Sequence, residues 1–395
     1  MELLEIGERT GNGTAEIIGR IRGEKGTFEI YFRFPDRFRE FLLPAPEPFL
    51  CALLVPAMSL GVPLRTSLPV SPTLLRGFRR AQVALQVMYP DLLRVVPVEA
   101  QTRPLPQSPE PRRMGSFFSC GVDSFYTALS NLQDPKPGYP PLTHALFMRG
   151  LETELAEEEG VDQSAAVARQ ATTALGLDLI EGETNLRSFF SVEWLSWSGT
   201  GLAATAHALG RGFEVFLIPA SGRYFHHAPP IGSHPIIDES CSTELVRIHN
   251  DGAHVGRPFK VASRVASSDV ALTYLRVCRV NRGGAYNCGR CPKCLRTMIM
   301  LEAAGVLDRV RTLPRLPSDW RSRYNPVNPV TARETLLIAR ERGRPESVVR
   351  ALEKGWRRAR IRNAVRELFE ASSLRHLLPA IRRVRAAARP TRQSS

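Results

Sequence analysis

The stretch Phe117–Tyr126, FFSCGVDSFY, predicts a short strand, a glycine turn and the first turns of a helix. Such a turn gathers backbone N–H groups at the positive end of a helix dipole, where anions bind. The hydroxyls of Ser119 and Ser124 add donors, and the carboxylate of Asp123 can hold Mg²⁺ beside phosphate oxygens. The alternative is an ordinary capped turn. We predict a phosphate-binding loop formed by Ser119, Cys120, Gly121, Val122, Asp123 and Ser124.

Strands and helices alternate after this loop. Strands are predicted at 144–148, 177–180 and 214–219, and helices at 123–132, 162–175 and 201–209. This alternation favours an α/β domain with a parallel, Rossmann-like sheet covered by helices on both faces. Ligands of such sheets bind at the carboxyl ends of the strands, and the predicted loop lies at one of these ends.

Regions of different character flank the α/β pattern. Residues 14–34 predict a β-hairpin, and 47–60 and 72–88 predict helices, the second opened by Ser71 as N-cap and by Pro72. The proline-rich stretch 101–113 predicts a linker. We therefore expect an N-terminal α+β unit at 1–110, an α/β domain at 111–310 and an Arg-rich helical tail at 311–395.

Four of the seven cysteines lie close together in the chain, at Cys278, Cys288, Cys291 and Cys294. A cluster with CxxCxxC spacing indicates a metal site rather than a disulfide framework. Four thiolates without an open position are typical of a structural Zn²⁺ knuckle. An iron–sulfur cluster is the competing interpretation, because it uses similar spacing.

The positive charge of the chain is concentrated in its tail. Of 53 Lys+Arg and 39 Asp+Glu, residues 311–395 hold 21 and 7, so the remainder is neutral overall. The net charge of +14 is thus poor support for nucleic acid at the predicted site. The tail can clamp RNA, contact an acidic carrier protein or form a solvated helix; RNA binding is weakly supported, because Trp356 is the only aromatic residue among its arginine clusters.

No signal peptide or membrane span is predicted. The longest apolar stretch, 49–64, is interrupted by Pro56 and Pro63. With 43% hydrophobic and 23% charged residues, the composition is that of a folded protein with a real core. We expect a cytoplasmic protein without membrane contact.

The phosphate loop resembles the Ser-Gly-Gly-x-Asp-Ser fingerprint of the PP-loop ATP pyrophosphatases, with Cys120 in place of the first glycine; it is not a Walker A loop. Together with the cysteine cluster, it resembles the 7-cyano-7-deazaguanine synthase branch of that superfamily over residues 115–304. The resemblance implies ATP held at Ser119, Gly121, Asp123 and Ser124, adenylation of a carboxylate, release of pyrophosphate, and structural zinc on the four cysteines. The 1–110 unit and the tail are not part of that pattern, so deazaguanine chemistry is not implied.

Further site residues follow from position in the chain. His227, His234 and Asp238 come after a predicted strand and could orient a small-molecule substrate or move a proton; a polar capped loop is an equal alternative. The predicted catalytic residues are Asp123, Ser124, Arg257 and Lys260. Arg257 and Lys260 could neutralise the α-phosphate as pyrophosphate departs, although surface salt bridges would also explain them. Arg296 could face the same cleft.

The sequence thus predicts an enzyme that uses ATP and Mg²⁺ to adenylate a small-molecule carboxylate or amide oxygen, followed by ligation or another carboxyl-level change. Three alternatives stay open: an RNA-modifying PP-loop enzyme, an enzyme resembling the ATP-dependent muramoyl-dipeptide glutamate epimerase, and a catalytically silent nucleotide-binding protein. The last gains weight from Cys120, which costs of order 1 kcal/mol if its backbone needs a positive φ.

Overall fold

A computed structural model describes residues 1–105, 113–151, 155, 160–223, 230–278 and 285–371. The fold is α/β, and its centre is a mixed sheet of ten strands in which six of the nine strand pairings are parallel. The strands are β1 (Glu2–Gly11), β2 (Thr14–Gly23), β3 (Gly26–Pro35), β4 (Leu64–Thr66), β5 (Val98–Glu99), β6 (Met114–Phe117), β7 (Leu142–Arg149), β8 (Asp178–Thr184), β9 (Val215–Pro219) and β10 (Arg247–Asp251).

Strands β6 to β10 form a parallel, doubly wound half of the sheet. Their spatial order is β10-β9-β6-β7-β8, so the first strand of this half lies at its centre. The chain moves outward from β6 to β7 and β8, and then returns to the other side of β6 to form β9. The point between β6 and β9 is therefore a topological switch, where open α/β sheets form a ligand crevice.

The N-terminal strands extend this sheet instead of forming a separate one. Strands β1, β2 and β3 make an antiparallel meander, and β3 pairs antiparallel with β8 through Phe32↔Thr184 and Arg33↔Glu183. The short strands β4 and β5 complete the far edge. The predicted units 1–110 and 111–310 thus share one continuous sheet, although the boundary between them stays a prediction.

Helices cover both faces of the sheet. They are α1 (Pro46–Leu60), α2 (Pro72–Met88), α3 (Val122–Gln133), α4 (Val161–Leu175), α5 (Trp194–Ala208), α6 (Pro235–Asp238), α7 (Arg257–Lys260), α8 (Asp269–Tyr274), α9 (Pro292–Ala303), α10 (Trp320–Arg323), α11 (Pro329–Glu341) and α12 (Glu346–Ala371). One apolar core joins α1 and α5 to the sheet, where Trp197 donates its indole N–H to Ala52 O at 2.9 Å. The other core packs α3, α4 and α9 against the parallel strands.

Several local predictions are confirmed. The hairpin is β2 and β3, and α2 has the predicted bounds, with the Ser71 hydroxyl accepting from Leu74 N at 3.0 Å. Strands β1, β4, β5 and β10 were not predicted. Strand β10 has the sequence RIHND, whose single aliphatic residue gives too weak a pattern for a strand at the edge of the sheet.

The described part of the tail consists of α10, α11 and α12, and residues 372–395 lie outside the description. Helix α11 packs against α7, α9 and α12. Among the described residues, none of the helices combines the length and apolar character that crossing a bilayer requires.

Candidate active site

The predicted phosphate loop connects β6 to α3, with Gly121 as the N-cap residue of the helix. Within the loop, Ser119 N donates to Ser124 Oγ at 3.3 Å, and Ser124 Oγ donates to Gly121 O at 3.1 Å. A Cβ added at Gly121 would lie 3.3 Å from Ser119 Oγ, so a larger residue would crowd the loop. The two serines and the glycine therefore form one tight turn at the helix N-terminus.

Cys120 has a φ of +58°, which places it in the left-handed region that glycine prefers. Its side chain is 1% exposed and packs in the second core, and its backbone oxygen accepts from Arg276 N at 2.8 Å. Burial, opposed by Tyr286 and Arg276, raises the pKa of the thiol to about 12, so the group stays neutral. The backbone at Cys120 thus has the positive φ at which a non-glycine residue is strained, and the thiol packs in the core.

The loop opens into a cleft of about 710 Å³ at the carboxyl ends of β6, β7, β8 and β9. Ser119, Gly121, Val122, Asp123 and Ser124 line it, whereas Cys120 does not. Ile218, Pro219 and Ser221 complete the wall at β9, so the cleft lies at the switch point of the sheet. The volume falls within the usual range for small-molecule sites, roughly 300–1,000 Å³.

Asp123 joins the loop to α7. Arg257 Nη2 donates to Asp123 Oδ2 at 2.5 Å, and Lys260 Nζ donates to Asp123 Oδ1 at 3.3 Å and to Ala220 O at 2.5 Å. Lys260 is only 1% exposed, so the surface salt bridge considered for it from the sequence is wrong. The structure brings together three of the four predicted catalytic side chains, and the fourth, Ser124, lies one residue after Asp123.

The cations keep Asp123 ionised. Burial would raise the pKa of Asp123, but Arg257 and then Lys260 outweigh it and hold the pKa below its ordinary value. Burial lowers the pKa of Lys260, and the attraction of Asp123 opposes that shift. The loop therefore presents a carboxylate that is already charged at neutral pH.

The cleft is rich in positive charge. Its lining includes two carboxylates and five basic side chains, namely Asp123 and Glu183 against Arg149, Arg257, Arg276, Lys293 and Arg296. Because the chain before residue 311 has no net charge, this local surplus belongs to the cleft and not to the general composition. An anionic ligand is favoured there.

The four clustered cysteines form a site that can hold a metal ion. Their sulfur atoms all lie within 4.8 Å of one another, with Cys278 Sγ 4.0 Å from Cys291 Sγ and Cys288 Sγ 3.9 Å from Cys294 Sγ. A tetrahedron with Zn–S bonds of about 2.3 Å has edges of about 3.8 Å, so the sulfur spacing fits Zn²⁺.

Backbone donors stabilise thiolates in this cluster. Cys291 N donates to Cys288 Sγ and Cys294 N donates to Cys291 Sγ, both at 3.4 Å, and Gly289 turns the chain with a φ of +65°. Burial opposes ionisation of Cys288, but hydrogen bonds from Arg290 N and Cys291 N help to lower its pKa to about 6. The donor set is therefore suited to a cation that binds thiolate.

Helix α9 links the metal site to the cleft. Cys291 is its N-cap residue, and the cleft lining includes Cys291, Pro292, Lys293, Arg296 and Thr297. The predicted position of Arg296 in the cleft is thus observed. A metal ion bound by the four cysteines would also fix the start of α9, and with it the basic residues that α9 contributes to the cleft.

Two of the predicted substrate residues, His234 and Asp238, are absent from the lining of the cleft. Asp238 is fully buried and accepts from Ser233 Oγ at 2.8 Å and Asn250 Nδ2 at 2.6 Å, and burial raises its pKa to about 7. His234 is the N-cap residue of α6 and accepts from Ile236 N. Ser233 does line the cleft, so Asp238 positions a residue of the wall. His227 lies outside the described residues.

Several polar residues of the cleft were not identified from the sequence, among them Arg276, Glu183, Arg149 and Lys293. Arg276 lies two residues before Cys278, outside any motif that indicates anion binding. Glu183 is the second-to-last residue of β8, beyond the predicted strand end at 180. A strand predicted through Gly182 would have placed Glu183 at its carboxyl end, where ligands of such sheets bind.

No protein-family model, curated protein or solved structure matches this chain.

Proposed function

We propose that this chain is a PP-loop ATP pyrophosphatase that adenylates a small-molecule carboxylate or amide oxygen and releases pyrophosphate. One observation carries the proposal. The loop Ser119–Ser124 lines a single basic cleft, together with Arg257 and Arg276, at the switch point of a doubly wound sheet. Loop, charge and position in the fold all favour a phosphate-bearing ligand.

In this proposal the loop holds the phosphates that leave. The N–H groups at the start of α3 and the hydroxyls of Ser119 and Ser124 donate to phosphate oxygens. Mg²⁺, when bound, would be held by Asp123 and would offset phosphate charge; the hard carboxylate donor beside the loop fits this ion. Lys260 and Arg257 keep that carboxylate charged and in place.

The reaction is a displacement at phosphorus. The substrate oxygen attacks the α-phosphorus of ATP, a new P–O bond forms, and the bond from the α-phosphorus to the bridging oxygen breaks. The electron pair leaves with pyrophosphate. Arg257 and Arg296 stand where positive charge can stabilise the phosphates during this step. A nucleophile such as ammonia or an amine then displaces AMP from the acyl-adenylate.

The metal in this proposal is Zn²⁺ with a structural role. Four cysteine ligands leave no open position for substrate. By fixing the first turn of α9, the ion would hold Lys293 and Arg296 in the cleft wall. The metal would therefore influence nucleotide affinity without contacting the reacting atoms.

The test is release of pyrophosphate from Mg-ATP by the full chain in the presence of a panel of carboxylic acids. We expect release that depends on one class of acid, and its loss in Asp123→Ala. Ser267→Ala changes an exposed hydroxyl that is absent from the cleft lining, and it should retain activity. Hydrolysis to ADP and phosphate instead would refute the proposal.

A further inference from the structure

Glu183 places a carboxylate in the cleft at a distance from the phosphate loop. It lies at the carboxyl end of β8 and lines the cleft, and its side chain is 31% exposed. Strand β7 separates β8 from β6, so Glu183 lies two strand spacings, roughly 10 Å, from the strand that leads into the loop.

The N-terminal strands hold this carboxylate in place. Tyr31 Oη donates to Glu183 Oε1 at 2.6 Å, and Arg33 Nη1 donates to the same oxygen at 2.9 Å. Arg33 is the register partner of Glu183 across the β3–β8 pairing, and its Nε donates to Glu16 at 2.7 Å. Strand β3 thus fixes the orientation of a cleft residue, although it belongs to the region outside the PP-loop resemblance.

Among the described residues, the ion pairs that link to Glu183 contain one more carboxylate than guanidinium groups. Arg33 contacts Glu16 and Glu183, and Arg9 contacts Glu16 at 3.1 Å and Glu29 at 4.0 Å. Two guanidinium groups are thus paired with three carboxylates.

Within the described chain, both hydrogen bonds to Glu183 end on Oε1, which leaves Oε2 as an acceptor. The register partner of Glu183 on the other side is Arg149, which donates to Asp162. A cationic hydrogen-bond donor is the ligand group that matches this arrangement.

We propose that Glu183 forms a subsite for a protonated primary amine carried by the acid that the enzyme activates. This inference rests on the proposed adenylation. The distance from the phosphate loop favours a recognition group on the substrate over an attacking nucleophile, because a nucleophile must approach the activated carbonyl to about 3 Å.

The part of the substrate between the two ends is apolar. Strand β7 lies between β6 and β8, and its end and the following residues line the cleft with Phe147, Met148, Leu151 and Leu155. Arg149 also lines this wall, and its guanidinium pairs with Asp162. A methylene chain or a ring between carboxylate and amine would cover these side chains. The substrate class is thus an amino acid whose amine is remote from its reactive carboxyl group.

Isothermal titration of the full chain tests the subsite without requiring turnover. The probes are ω-amino acids from 4-aminobutyrate to 8-aminooctanoate, each paired with the acid in which methyl replaces the amine. The longest spans roughly 10 Å when extended. We expect the wild type to prefer the amine over its methyl partner by about 10-fold or more at the matching length.

Glu183→Gln should abolish this preference, and Tyr31→Phe should reduce it. Glu181→Gln is the matched control, because Glu181 lies on the same strand, pairs with Arg169 and is absent from the cleft lining. The inference is overturned if the wild type shows no preference at any length, or if a folded Glu183→Gln variant retains it. It is also overturned if Glu183→Gln weakens Mg-ATP binding instead, since Glu183 would then contact the nucleotide.

Pyrophosphate release by the same preparations separates this inference from the proposed function. Release without amine preference would contradict only the subsite, whereas amine-selective binding without pyrophosphate release would contradict only the adenylation.

Discussion

Replacing Asp123 with asparagine should destabilise the protein through Lys260. The variant removes the negative charge beside a buried ammonium, which keeps Ala220 O as an acceptor at 2.5 Å and gains only a neutral amide oxygen in place of the carboxylate, while Arg257, 22% exposed, can be solvated. Removing one partner of a buried ion pair costs roughly 3–5 kcal/mol, and the retained hydrogen bond puts the expected loss near 3 kcal/mol.

The loss of stability should depend on pH, because Lys260 becomes neutral when it releases its proton and is then no longer an unpaired buried charge. Without Asp123, the folded pKa of Lys260 falls further below the unfolded value of about 10.4. Between these two pKa values the unfolded chain binds more protons, so the free energy of unfolding of Asp123→Asn should rise with pH. The penalty is complete below the folded pKa and is lost toward pH 10.

Urea unfolding at several pH values measures both effects. The double variant Asp123→Asn/Lys260→Met is the control, since it removes the buried charge along with its partner and should recover much of the loss. A cost below about 1 kcal/mol, or a cost that is independent of pH and unchanged in the double variant, would refute the assignment of Lys260 as a buried ion-pair partner.

Three other predictions concern stability and metal content. Burial raises the pKa of Asp238 in the folded chain to about 7, so between pH 4 and pH 7 the folded chain binds a proton that the unfolded chain has released. The free energy of unfolding of the wild type, relative to that of Asp238→Asn, should therefore fall by up to about 4 kcal/mol as pH rises from 4 to 7. A difference that does not change with pH would contradict this. Cys120→Ala should be less stable than Cys120→Gly by about 1 kcal/mol, because alanine retains the positive-φ strain; equal urea midpoints would show no strain. Elemental analysis should find one zinc per chain and less in Cys288→Ser, with Cys241→Ala unchanged; iron with visible charge-transfer absorption would favour a cluster instead.

The sequence was most informative where a pattern repeats or a spacing is fixed. The alternation after residue 115 predicted the parallel sheet, and the cysteine spacing predicted four converging sulfur atoms. The pairing of β3 with β8 could not be predicted, because it rests on two residue pairs more than 140 positions apart in the chain. The contact of Lys260 with Asp123 was also beyond prediction, since a lysine in a short polar segment is usually exposed.

The cleft was predictable in part. The strand–turn–helix around Ser119–Ser124 followed from its own residues, and its binding of phosphate stays a prediction, whereas the positions of Glu183 and Asp238 depended on tertiary structure. The length of β8 decides the position of Glu183. Asp238, predicted to contact substrate, is instead buried and accepts hydrogen bonds from Ser233 and Asn250.

Calorimetric titration of the full chain with a non-hydrolysable ATP analogue and Mg²⁺ tests most directly whether the loop after Phe118 holds phosphate. We predict one binding site in the wild type and in Ser267→Ala, and affinity at least 10-fold lower in Ser124→Ala, which loses the hydroxyl that bonds to Ser119 N and Gly121 O. Absence of binding in the wild type, or equal affinity in all three proteins, would contradict the account.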